Sequence, residues 1–570
     1  MTEWEGKNLL CYGDNLGFLT DTGLFPDECV DLIYLDPPFN SQQDYNVLFK
    51  EATGTPAAAQ IKAFEDTWRW DMAANEALTE IHTDAAVPAP LVELMKTFMN
   101  FLRPSPMLAY LVQMAIRLVH MHRVLKLTGS LYLHCDPTAS HYLKLVLDAI
   151  FGPGNFRNEV VWERTTGRRA ARQFGRVHDA ILFFGKGTRW SWNEQTVLQD
   201  VTTVRGHDLM RDGDDQPYRM SDLSGAGDGP PRKFGDQLLA PPTGRHWQYD
   251  QDGIDRLVEE GRIAFSRTGR PRLKTYLEDL PGVAVRDVWT DIEPINAAAA
   301  ERLGYPTQKP LALLKRIVAA SSNPGDVVFD PFCGCGTTID AVETLNRENP
   351  EKPPRRWVGI DVTHLAINLI KHRLTRFDPP PQYEILGEPA SASGAAALAQ
   401  DDPFQFQYWA LGLIGARPKG GRKKKGADQG IDGVRFFVDE FRNKTRKHAV
   451  IKTMLVQVKS GKVSVKDIRD FVGTLAREKA EMGVFVTLAE PTGPMKSEAA
   501  AAGTYTSPWD HKPYPKVQIH TIADLLADPY KPNPRCLSVP GGTTQHTLPE
   551  PPKHRGKAAD QGSLPFGRDG

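Results

Sequence analysis

The sequence has few cysteines, no long apolar run and almost no net charge, and each of these shortages excludes a class of protein. Six cysteines in 570 residues do not form the disulfide framework of a small secreted protein, so a reducing, cytoplasmic location is expected. No run of about 18 apolar residues is present, which argues against a transmembrane helix and a membrane partner. Cys333 and Cys335 have the wrong spacing for a zinc knuckle, and no second pair lies near them.

The near-neutral charge hides two basic clusters. Lys and Arg total 69 against 70 Asp and Glu, a net charge of −1, which by itself does not indicate a nucleic-acid partner. The clusters are Arg157, Arg164, Arg168, Arg169, Arg172 and Arg176, and then Arg417, Lys419, Arg422, Lys423, Lys424 and Lys425. A basic run is often only a solvated surface or a linker, and that interpretation stays open here. Two clusters beside the motifs described below nevertheless raise the expectation of a polyanionic partner.

Composition divides the chain into an interrupted α/β part and a smaller unit. Apolar strands alternate with helical patterns in 1–185, and the same periodicity returns in 291–380. Residues 186–290 are rich in Gly, Asp, Arg and Trp and predict a loop-rich insertion. A Pro-, Ala- and Ser-rich linker, a compact unit and a disordered tail are predicted at 381–400, 401–533 and 534–570.

Hydrophobic periodicity predicts individual elements within these parts. The predicted strands of the interrupted part are Val30–Leu35, Gly129–His134 and Ala180–Phe184, and its predicted helices are Leu108–Leu125 and Ala139–Ile150. The predicted strands of the smaller unit are Val434–Val438, Met454–Val458 and Gly483–Leu488.

The first informative motif is an apolar strand that ends in an acid and two prolines, Val30-Asp-Leu-Ile-Tyr-Leu-Asp36-Pro37-Pro38-Phe39. Ligands of open α/β sheets bind outside the carboxyl ends of the strands, so Asp36 is predicted to face a crevice. Because prolines have no N–H, carbonyls dominate this turn, and Asp36 with the Pro37 carbonyl forms an acceptor pair for an exocyclic amine. Phe39 offers a flat face for a base. Taken alone, the motif also fits a rigid strand exit with a core phenylalanine.

A second motif joins a strand, a glycine turn and a helix start, Asp326-Val-Val-Phe-Asp330-Pro331-Phe332-Cys333-Gly334-Cys335-Gly336-Thr337-Thr338. Gly334 and Gly336 allow the backbone to approach a ligand closely, and the following helix N-terminus favours a carboxylate. Farther on, Asp361 ends another apolar strand, a position where an acid commonly binds ribose hydroxyls. The third glycine of the dinucleotide fingerprint is missing, which favours a nucleoside ligand without a pyrophosphate.

These motifs together resemble the S-adenosylmethionine-dependent amino methyltransferases that act on DNA. The catalytic motif precedes the cofactor motif, as in the beta-ordered class of that family. Further matching segments are Tyr12-Gly-Asp-Asn15, Gly129-Ser-Leu-Tyr-Leu-His-Cys-Asp136, Phe156-Arg-Asn-Glu-Val-Val-Trp162 and Tyr305-Pro-Thr307-Gln308-Lys309-Pro310. Cys335 is a departure, because the family more often has Ser there. The resemblance covers about 1–380 and implies a Rossmann-like α/β fold with an inserted target-recognition region, S-adenosylmethionine as cofactor and double-stranded DNA as partner, with a homodimer as one option.

The resemblance also implies roles for individual residues. Asp36 is expected to accept a hydrogen bond from the target amine and to take up its proton, while the Pro37 carbonyl holds the other N–H, Pro38 completes the turn and Phe39 stacks on a flipped base. Flipping costs a few kcal/mol, and one aromatic stack returns roughly 1–3 kcal/mol. Cofactor contacts are expected from Asp330, Phe332, Gly334, Gly336, Thr337, Asp361, Thr307 and Lys309. Among them Asp361 is assigned to the ribose, and Thr307 and Lys309 to the methionine end.

The target base is open between adenine N6 and cytosine N4. An Asp in the first position of the catalytic motif favours adenine in the family, whereas cytosine enzymes more often have Ser there. The insertion at 186–290 is the expected target-recognition region, because base readout requires Arg, Asn and Gln on loops that enter a groove. Phosphate contacts, which position DNA without specifying its sequence, are expected from Arg164, Arg168, Arg169 and Arg172.

The smaller unit carries the layout of a nuclease metal site. Asp432 precedes one predicted strand, and Gln457 and Lys459 lie on the next. In such sites the acid binds Mg²⁺ and the lysine supports the attacking water or the scissile phosphate. Residues 401–530 resemble the Mrr-like branch of restriction endonucleases, in which Gln replaces the second acid in some members. Only one firm carboxylate, Asp432, is visible as a metal ligand, so an active Mg²⁺-dependent nuclease and a catalytically inactive DNA-binding or dimerising module are both open.

The sequence therefore predicts a DNA adenine-N6 methyltransferase with an Mrr-like C-terminal domain. A single-chain restriction–modification protein that also cuts DNA is the first alternative. A DNA-binding regulator that holds the cofactor without chemistry is the second, and the intact Asp36-Pro-Pro-Phe39 motif argues against it.

Overall fold

The computed structural model describes most of the chain. The described residues are 7–38, 44–50, 56–65, 70–165, 172–197, 209–213, 216–276, 279, 282–296, 299–305, 307–419, 431–441, 449–508, 510–527, 534 and 536–540, with the backbone alone at 44–50, 56–65, 438, 440–441 and 449–451. Seven residues named above lie outside this set, namely Phe39, Arg168, Arg169, Arg422, Lys423, Lys424 and Lys425. Within it, no helix is long and apolar enough to cross a membrane.

The N-terminal part alternates strands with helices. Its elements are β1 (Asn8–Tyr12), α1 (Asn15–Thr20), β2 (Val30–Leu35), β3 (Asp44–Lys50), β4 (Pro56–Glu65), α2 (Met72–Thr83), α3 (Ala89–Leu102), α4 (Pro106–Val124), β5 (Leu125–Cys135), α5 (Ser140–Phe151), β6 (Phe156–Glu163) and β7 (His178–Gly185). α4 begins where Ser105 caps the Leu108 N–H and Pro106 occupies the first turn, a position that needs no N–H donor. Its long apolar face is buried in the main core together with β2 and β5.

Residues Asn193–Asp287 form a compact unit of their own. Its elements are β8 (Thr196–Val197), β9 (Leu209–Arg211), β10 (Pro217–Asp222), β11 (Ser224–Ala226), β12 (Arg232–Phe234), β13 (Gln237–Leu239), β14 (Arg245–Trp247), α6 (Gln251–Glu259), β15 (Ile263–Phe265), β16 (Pro271–Tyr276) and β17 (Val283–Ala284). A small core of Leu223, Phe234, Trp247 and Ile254 holds it together. The predicted insertion thus contains short antiparallel strands as well as loops, while its boundaries at 186 and 290 stay a prediction.

The α/β pattern returns after this unit and completes one large sheet. The elements are β18 (Val288–Trp289), α7 (Leu311–Ser321), β19 (Val327–Asp330), α8 (Thr337–Glu348), β20 (Arg356–Asp361), α9 (His364–Leu374) and β21 (Tyr383–Leu386). The strand order is β18-β6-β7-β5-β2-β19-β20-β1-β21. β7 runs antiparallel to both of its neighbours, and the other neighbouring pairs are parallel. The carboxyl ends of β2, β19 and β20 therefore meet at one edge.

The C-terminal module is a second, smaller α/β structure. Its elements are α10 (Ala392–Asp401), α11 (Pro403–Leu413), β22 (Arg417–Pro418), β23 (Gly433–Phe441), β24 (Ala449–Lys459), α12 (Val465–Glu478), β25 (Met482–Thr487), α13 (Gly493–Ala501), β26 (Thr504–Thr506), β27 (Pro513–Pro515), β28 (Val517–Thr521) and α14 (Ile522–Ala527). The sheet order is β22-β23-β24-β25-β28. The α/β fold class predicted for both modules is confirmed by these two sheets.

Two stretches predicted as irregular contain packed structure. The predicted linker, 381–400, includes β21, which pairs with β1, and most of α10, because its Ala-rich segment is a good helix former. In the predicted tail, Leu537 is buried in the C-terminal core, and the Ser538 N–H donates to Gln518 Oε1 at 2.8 Å. Apolar residues among the prolines explain why the packed module extends to 540.

The helix α11 joins the C-terminal module to the large sheet. The Gln405 side chain accepts the backbone N–H of His364 at 2.9 Å, and Asn368 Nδ2 donates to the Tyr408 carbonyl at 2.7 Å. Tyr408 also packs against a buried cluster that contains Tyr305 and Leu369. The first residues of α9, which follow Asp361, are therefore held partly by the C-terminal module.

Candidate active site

A cavity of about 340 Å³ opens at the carboxyl ends of β2, β19 and β20, a volume within the range of small-molecule sites. The predicted residues that line it are Asp36, Pro37, Pro38, Thr307, Lys309, Asp330, Phe332, Gly334, Thr337 and Asp361. Two motifs that are distant in sequence, the catalytic one and the cofactor one, thus share one cavity. This is the arrangement that a transfer between a bound cofactor and a second substrate requires.

The carboxylate of Asp36 has one oxygen engaged and one free. The Lys309 ammonium donates to Asp36 Oδ2, and both side chains are mostly buried. Asp36 Oδ1 is buried and has no hydrogen-bond partner among the described residues. A buried acceptor without a donor is costly, so this oxygen is available to a donor that enters the cavity. The sequence assigned Lys309 to the methionine end, and the structure places its ammonium on Asp36.

Asp361 ties the end of β20 to the glycine turn. Asp361 Oδ2 accepts the Gly334 N–H at 3.0 Å, and Oδ1 accepts the N–H and the hydroxyl of Thr363 at 2.8 Å each. Burial raises the pKa of Asp361 to about 6, although the Thr363 and Gly334 bonds oppose this rise. A carboxyl group with such a pKa changes its charge close to neutral pH.

Asp330, at the end of β19, stabilises the turn itself. It accepts the Phe332 N–H at 3.1 Å and the Thr338 hydroxyl at 2.5 Å. Burial raises the pKa of Asp330 to about 7, against the effect of these two bonds. Both oxygens of this carboxyl group are therefore used to shape the cavity wall.

Backbone conformation and close neighbours favour glycine at positions 334 and 336 of the cofactor motif. Gly334 and Gly336 have φ values of +50° and +75°, in the left-handed region that favours glycine. A Cβ on Gly334 would lie 3.3 Å from Tyr305 Cε1, and one on Gly336 would lie 2.6 Å from Ile370 Cγ1. With Asp361 beside them, these residues form a cradle that fits a nucleoside. Gly336 shapes the turn from behind, since it does not line the cavity.

Sequence reasoning missed a polar network on another wall of the cavity. Asn15 Nδ2 donates to the Pro331 carbonyl at 2.8 Å, and Asn15 Oδ1 accepts Arg117 Nε at 2.7 Å. Arg117 also binds Asp14 Oδ1 at 2.8 Å. The detectable signal was an arginine on the apolar face of α4, where a buried charge needs partners. The network fixes the start of the glycine turn from the side of α1.

The second candidate site, in the C-terminal module, is assembled around β24. Asp432 Oδ2 accepts the Val458 N–H at 2.7 Å, and Asp432 Oδ1 accepts Gln407 Nε2 at 2.9 Å. Gln457 and Lys459 are two residues apart on β24 and point to the same face. Gln457 Oε1 is buried without a hydrogen-bond partner among the described residues. Sequence reasoning missed Gln407, which comes from α11.

A metal would find few ligands at this second site. Within the described part of the chain, no group of three or more His, Cys, Asp or Glu side chains is placed to hold a metal ion. Asp432 offers the one firm carboxylate, and both of its oxygens already accept hydrogen bonds. Gln457 Oε1 adds one free oxygen donor. These residues fit Mg²⁺, which binds through one or two carboxylates plus substrate phosphates and water, only if Gln407 releases Asp432.

Comparison with known proteins identifies both modules. Residues 30–372 match the DNA methylase family of N6 and N4 methyltransferases. The chain belongs to this family. Residues 399–506 match a restriction endonuclease family with an Mrr-type catalytic domain. The family resemblance inferred from the motifs is therefore confirmed for both modules of this DNA methylase.

Several relatives are similar over the methylase part. The type II methyltransferase M.EcaI of Enterobacter cloacae is 33% identical over 267 residues, 46% of this chain and 57% of its own length. The type III StyLTI Mod subunit of Salmonella typhimurium is 25% identical over 365 residues, 60% of this chain and 51% of its own. This chain thus spans about half the length of these relatives. A putative DNA modification methylase of Thermus thermophilus, TTHA0409, complexed with S-adenosylmethionine, aligns at 14% identity over 67% of this chain and 99% of its own, with a TM-score of 0.32.

The residues predicted to bind phosphates in this DNA methylase are only partly described. Arg164 follows β6, and its Nε lies 3.0 Å from Asp179 Oδ1. Arg172 is exposed, and nearby Phe174 is 99% exposed. Arg168 and Arg169, like the catalytic-motif residue Phe39, lie outside the described residues. The roles assigned to these residues stay predictions.

Proposed function

We propose that this DNA methylase transfers a methyl group from S-adenosylmethionine to adenine N6 of a base flipped out of duplex DNA. The observation that carries the proposal is the shared cavity, which has the Asp36 motif and the glycine turn with Asp361 along its walls. The Asp at the first position of the catalytic motif favours adenine over cytosine. The relative YhdJ of Escherichia coli, named a DNA adenine methyltransferase, is 26% identical over 54% of this chain and 85% of its own length.

Residues at one end of the cavity would bind the cofactor. Asp361 would accept hydrogen bonds from the ribose hydroxyls, and the Gly334 backbone would allow close approach. Thr307 and Phe332 line the cavity beside them. When bound, S-adenosylmethionine supplies an electrophilic methyl group on a sulfonium centre.

The catalytic end would orient the target amine. The free Asp36 Oδ1 would accept one N–H, and the Pro37 carbonyl would accept the other, so that the nitrogen lone pair faces the methyl group. Lys309 balances the charge of Asp36 and holds its other oxygen. After transfer the amine carries an extra proton, which passes to Asp36 directly or through water. Positioning two reactants in this way supplies a large part of a rate enhancement.

Duplex DNA would be held by Arg164, Arg168, Arg169 and Arg172 through phosphates. Phe39 would stack on the flipped base and offset part of the flipping cost. The unit at Asn193–Asp287 is proposed as the target-recognition region, because it brings arginines on short strands and turns. Homodimerisation stays a prediction of the sequence.

A radiolabel assay tests the methyltransferase. Purified protein is incubated with tritiated S-adenosylmethionine and unmethylated plasmid, and the DNA is digested to nucleosides. We expect label in N6-methyladenosine, and we expect Asp36→Ala to lower the rate at least about a hundredfold. The control is Asp27→Ala, which removes an exposed acid that precedes β2 and does not line the cavity. Label in N4-methylcytosine would show that the target is cytosine N4 and not adenine N6. No label on either base would overturn the proposed methyltransferase function.

A second candidate function, DNA cleavage, is favoured by the C-terminal family match and by Gln457 Oε1, which is buried without a hydrogen-bond partner among the described residues. Asp432 and Gln457 would hold Mg²⁺ with the scissile phosphate, and Lys459 would support the attacking water. This requires the Gln407 amide to leave Asp432. We expect Mg²⁺-dependent linearisation of unmethylated plasmid that is lost in Asp432→Asn and Lys459→Met. The control Lys462→Met removes a neighbouring lysine outside the strand. Uncut plasmid at every Mg²⁺ concentration would leave a binding or dimerising module.

A further inference from the structure

A row of three buried polar side chains leads from the cavity into the large sheet. Tyr34 of β2, His134 of β5 and Asp179 of β7 are 2%, 0% and 2% exposed. The Tyr34 hydroxyl lies 3.0 Å from His134 Nδ1, and His134 Nε2 lies 3.2 Å from Asp179 Oδ2. Burying such a row costs free energy that an apolar core would not. The methyl-transfer roles proposed above use none of these residues.

The hydrogen bonds fix the direction of the Tyr34 O–H dipole. Burial opposes ionisation of Asp179, but the hydrogen bond with His134 and the nearby charges of Lys309 and Arg164 lower its pKa overall. The Arg164 guanidinium, with its Nε 3.0 Å from Asp179 Oδ1, already balances the charge of that carboxylate. We therefore assign the fully buried His134 ring a single hydrogen, on Nε2, because an ionised carboxylate only accepts hydrogen bonds. Nδ1 is then the acceptor, and Tyr34 must donate its hydrogen to it. The hydrogen of the phenol therefore points to His134, and the hydroxyl offers no hydrogen to the cavity that Tyr34 lines.

Tyr34 lies where its O–H dipole can act on a ligand in the cavity. Tyr34 lies near the carboxyl end of β2 and Asp36 directly follows that strand, and both residues line the cavity. The cofactor motif lines the same cavity. A fixed dipole with its negative end toward this space stabilises positive charge there, because a buried site screens it weakly.

We propose that Tyr34 selects the charged methyl donor over the neutral product, and that His134 and Asp179 are positioning residues that hold its hydroxyl in the selecting orientation. S-Adenosylmethionine carries a sulfonium charge, whereas S-adenosylhomocysteine, which remains after methyl transfer, is a neutral thioether. The dipole thus weakens product binding relative to donor binding. This inference rests on the proposed function, because it requires the cavity to bind these two compounds.

Tyr132 provides a matched control. It pairs directly with Tyr34 across β2 and β5, it is equally buried at 2%, and its hydroxyl bonds Ser321 Oγ at 2.7 Å. Tyr132 does not line the cavity. Replacing either tyrosine with Phe removes one buried hydroxyl, so a loss of stability is common to both variants. Only the Tyr34 variant also removes a dipole from the cavity.

The test measures binding by calorimetry with the full chain, without turnover. The affinity ratio of S-adenosylmethionine to S-adenosylhomocysteine is determined for Tyr34→Phe, Tyr132→Phe, His134→Leu and His134→Asn. We expect the ratio to fall about fivefold to tenfold in Tyr34→Phe and His134→Leu, which is the effect of one polar interaction. Tyr132→Phe keeps the ratio of the unchanged protein. His134→Asn keeps most of it, because the amide oxygen takes the place of the Nδ1 acceptor.

The outcomes separate this inference from the proposed function. An unchanged ratio in Tyr34→Phe, or an equal fall in Tyr132→Phe, would overturn the selecting role while the methyltransferase assignment stands. If the unchanged protein binds neither compound, the proposed function fails and this inference fails with it. A fall in Tyr34→Phe that His134→Leu reproduces and His134→Asn largely restores would establish the positioning role.

Discussion

At the scale of single residues, the cavity is built around carboxyl groups that serve different purposes. Both oxygens of Asp330 accept hydrogen bonds that stabilise the glycine turn. Asp36 has one oxygen without a hydrogen-bond partner among the described residues. Asp361 accepts a hydrogen bond from the turn and also lines the cavity. Burial raises the pKa values of Asp330 and Asp361 to about 7 and about 6. Their charge therefore depends on pH in the range where the protein would be assayed.

This titration predicts pH-dependent binding of S-adenosylmethionine. In the proposed cofactor site the ribose hydroxyls would donate to an ionised Asp361, so binding below a pH of about 6 would release a proton. Affinity should then fall with decreasing pH, at most about tenfold per unit below that pKa. Calorimetry at several pH values between 5 and 8 measures this fall. In Asp361→Asn the affinity should be weaker and nearly independent of pH, and a flat profile in the unchanged protein would contradict the role of Asp361.

Motif residues were predictable from the sequence, whereas residues brought in by strand pairing were not. Asp36, Gly334 and Asp361 stand at strand ends with turn residues beside them, a local signal that survives without a structure. His134 and Asp179 lie within apolar runs, and only the antiparallel pairing of β5 with β7 brings them together. That pairing is a contact between residues distant in sequence, and local hydrophobic periodicity does not predict such contacts.

At the scale of elements, buried strands were the most predictable feature. The predicted Val30–Leu35 strand is confirmed as β2, and the predicted Ala180–Phe184 strand lies within β7. Both are wholly apolar or nearly so, as buried strands should be. β21 was missed because it is short and its central residues are exposed. The strands of the Asn193–Asp287 unit are mostly three residues long, too short for a periodic signal.

The cap of α11 gives a prediction at this scale. Asp402 accepts the N–H groups of Phe404 and Gln405 at 2.8 and 3.0 Å. Replacing an Asp cap by Ala typically costs about 1 kcal/mol, so Asp402→Ala should lower the free energy of unfolding by that amount. Asp401→Ala is the matched control, because it removes the same charge one residue earlier without removing the cap. Urea denaturation followed by circular dichroism measures both variants, and equal losses would speak against the cap.

At the scale of the whole molecule, α11 contacts both candidate sites. Gln405 holds the start of α9, which follows Asp361, and Gln407 holds Asp432. The two modules therefore share a helix contact as well as a chain connection. The sequence of α11 gave no sign of this contact, because local periodicity predicts neither the partner nor the orientation of a helix.

Packing of α11 against α9 predicts the effect of a methyl group at Gly412. A Cβ there would lie 2.0 Å from Asn368 Oδ1 and 2.4 Å from its Cγ. Gly412→Ala should break the Asn368–Tyr408 hydrogen bond and destabilise the protein by about 1–3 kcal/mol. Gly473→Ala, in α12, has open space and should be neutral or stabilising by up to about 1 kcal/mol. Differential scanning calorimetry measures the unfolding temperatures of both variants. An unchanged unfolding temperature in Gly412→Ala would contradict the tight packing of α11 against α9.

The continuity of the cavity bears on how the proposed methyl transfer could be inhibited. Asp361 and the free oxygen of Asp36 open onto the same space, so a single compound can occupy the donor and acceptor positions at once. An adenosine analogue that carries a short amine-tipped arm in place of the methyl group would reach the unpaired Asp36 oxygen and gain a charge-assisted hydrogen bond there. Under the proposed function, such a bisubstrate compound would compete with the cofactor and the target base together.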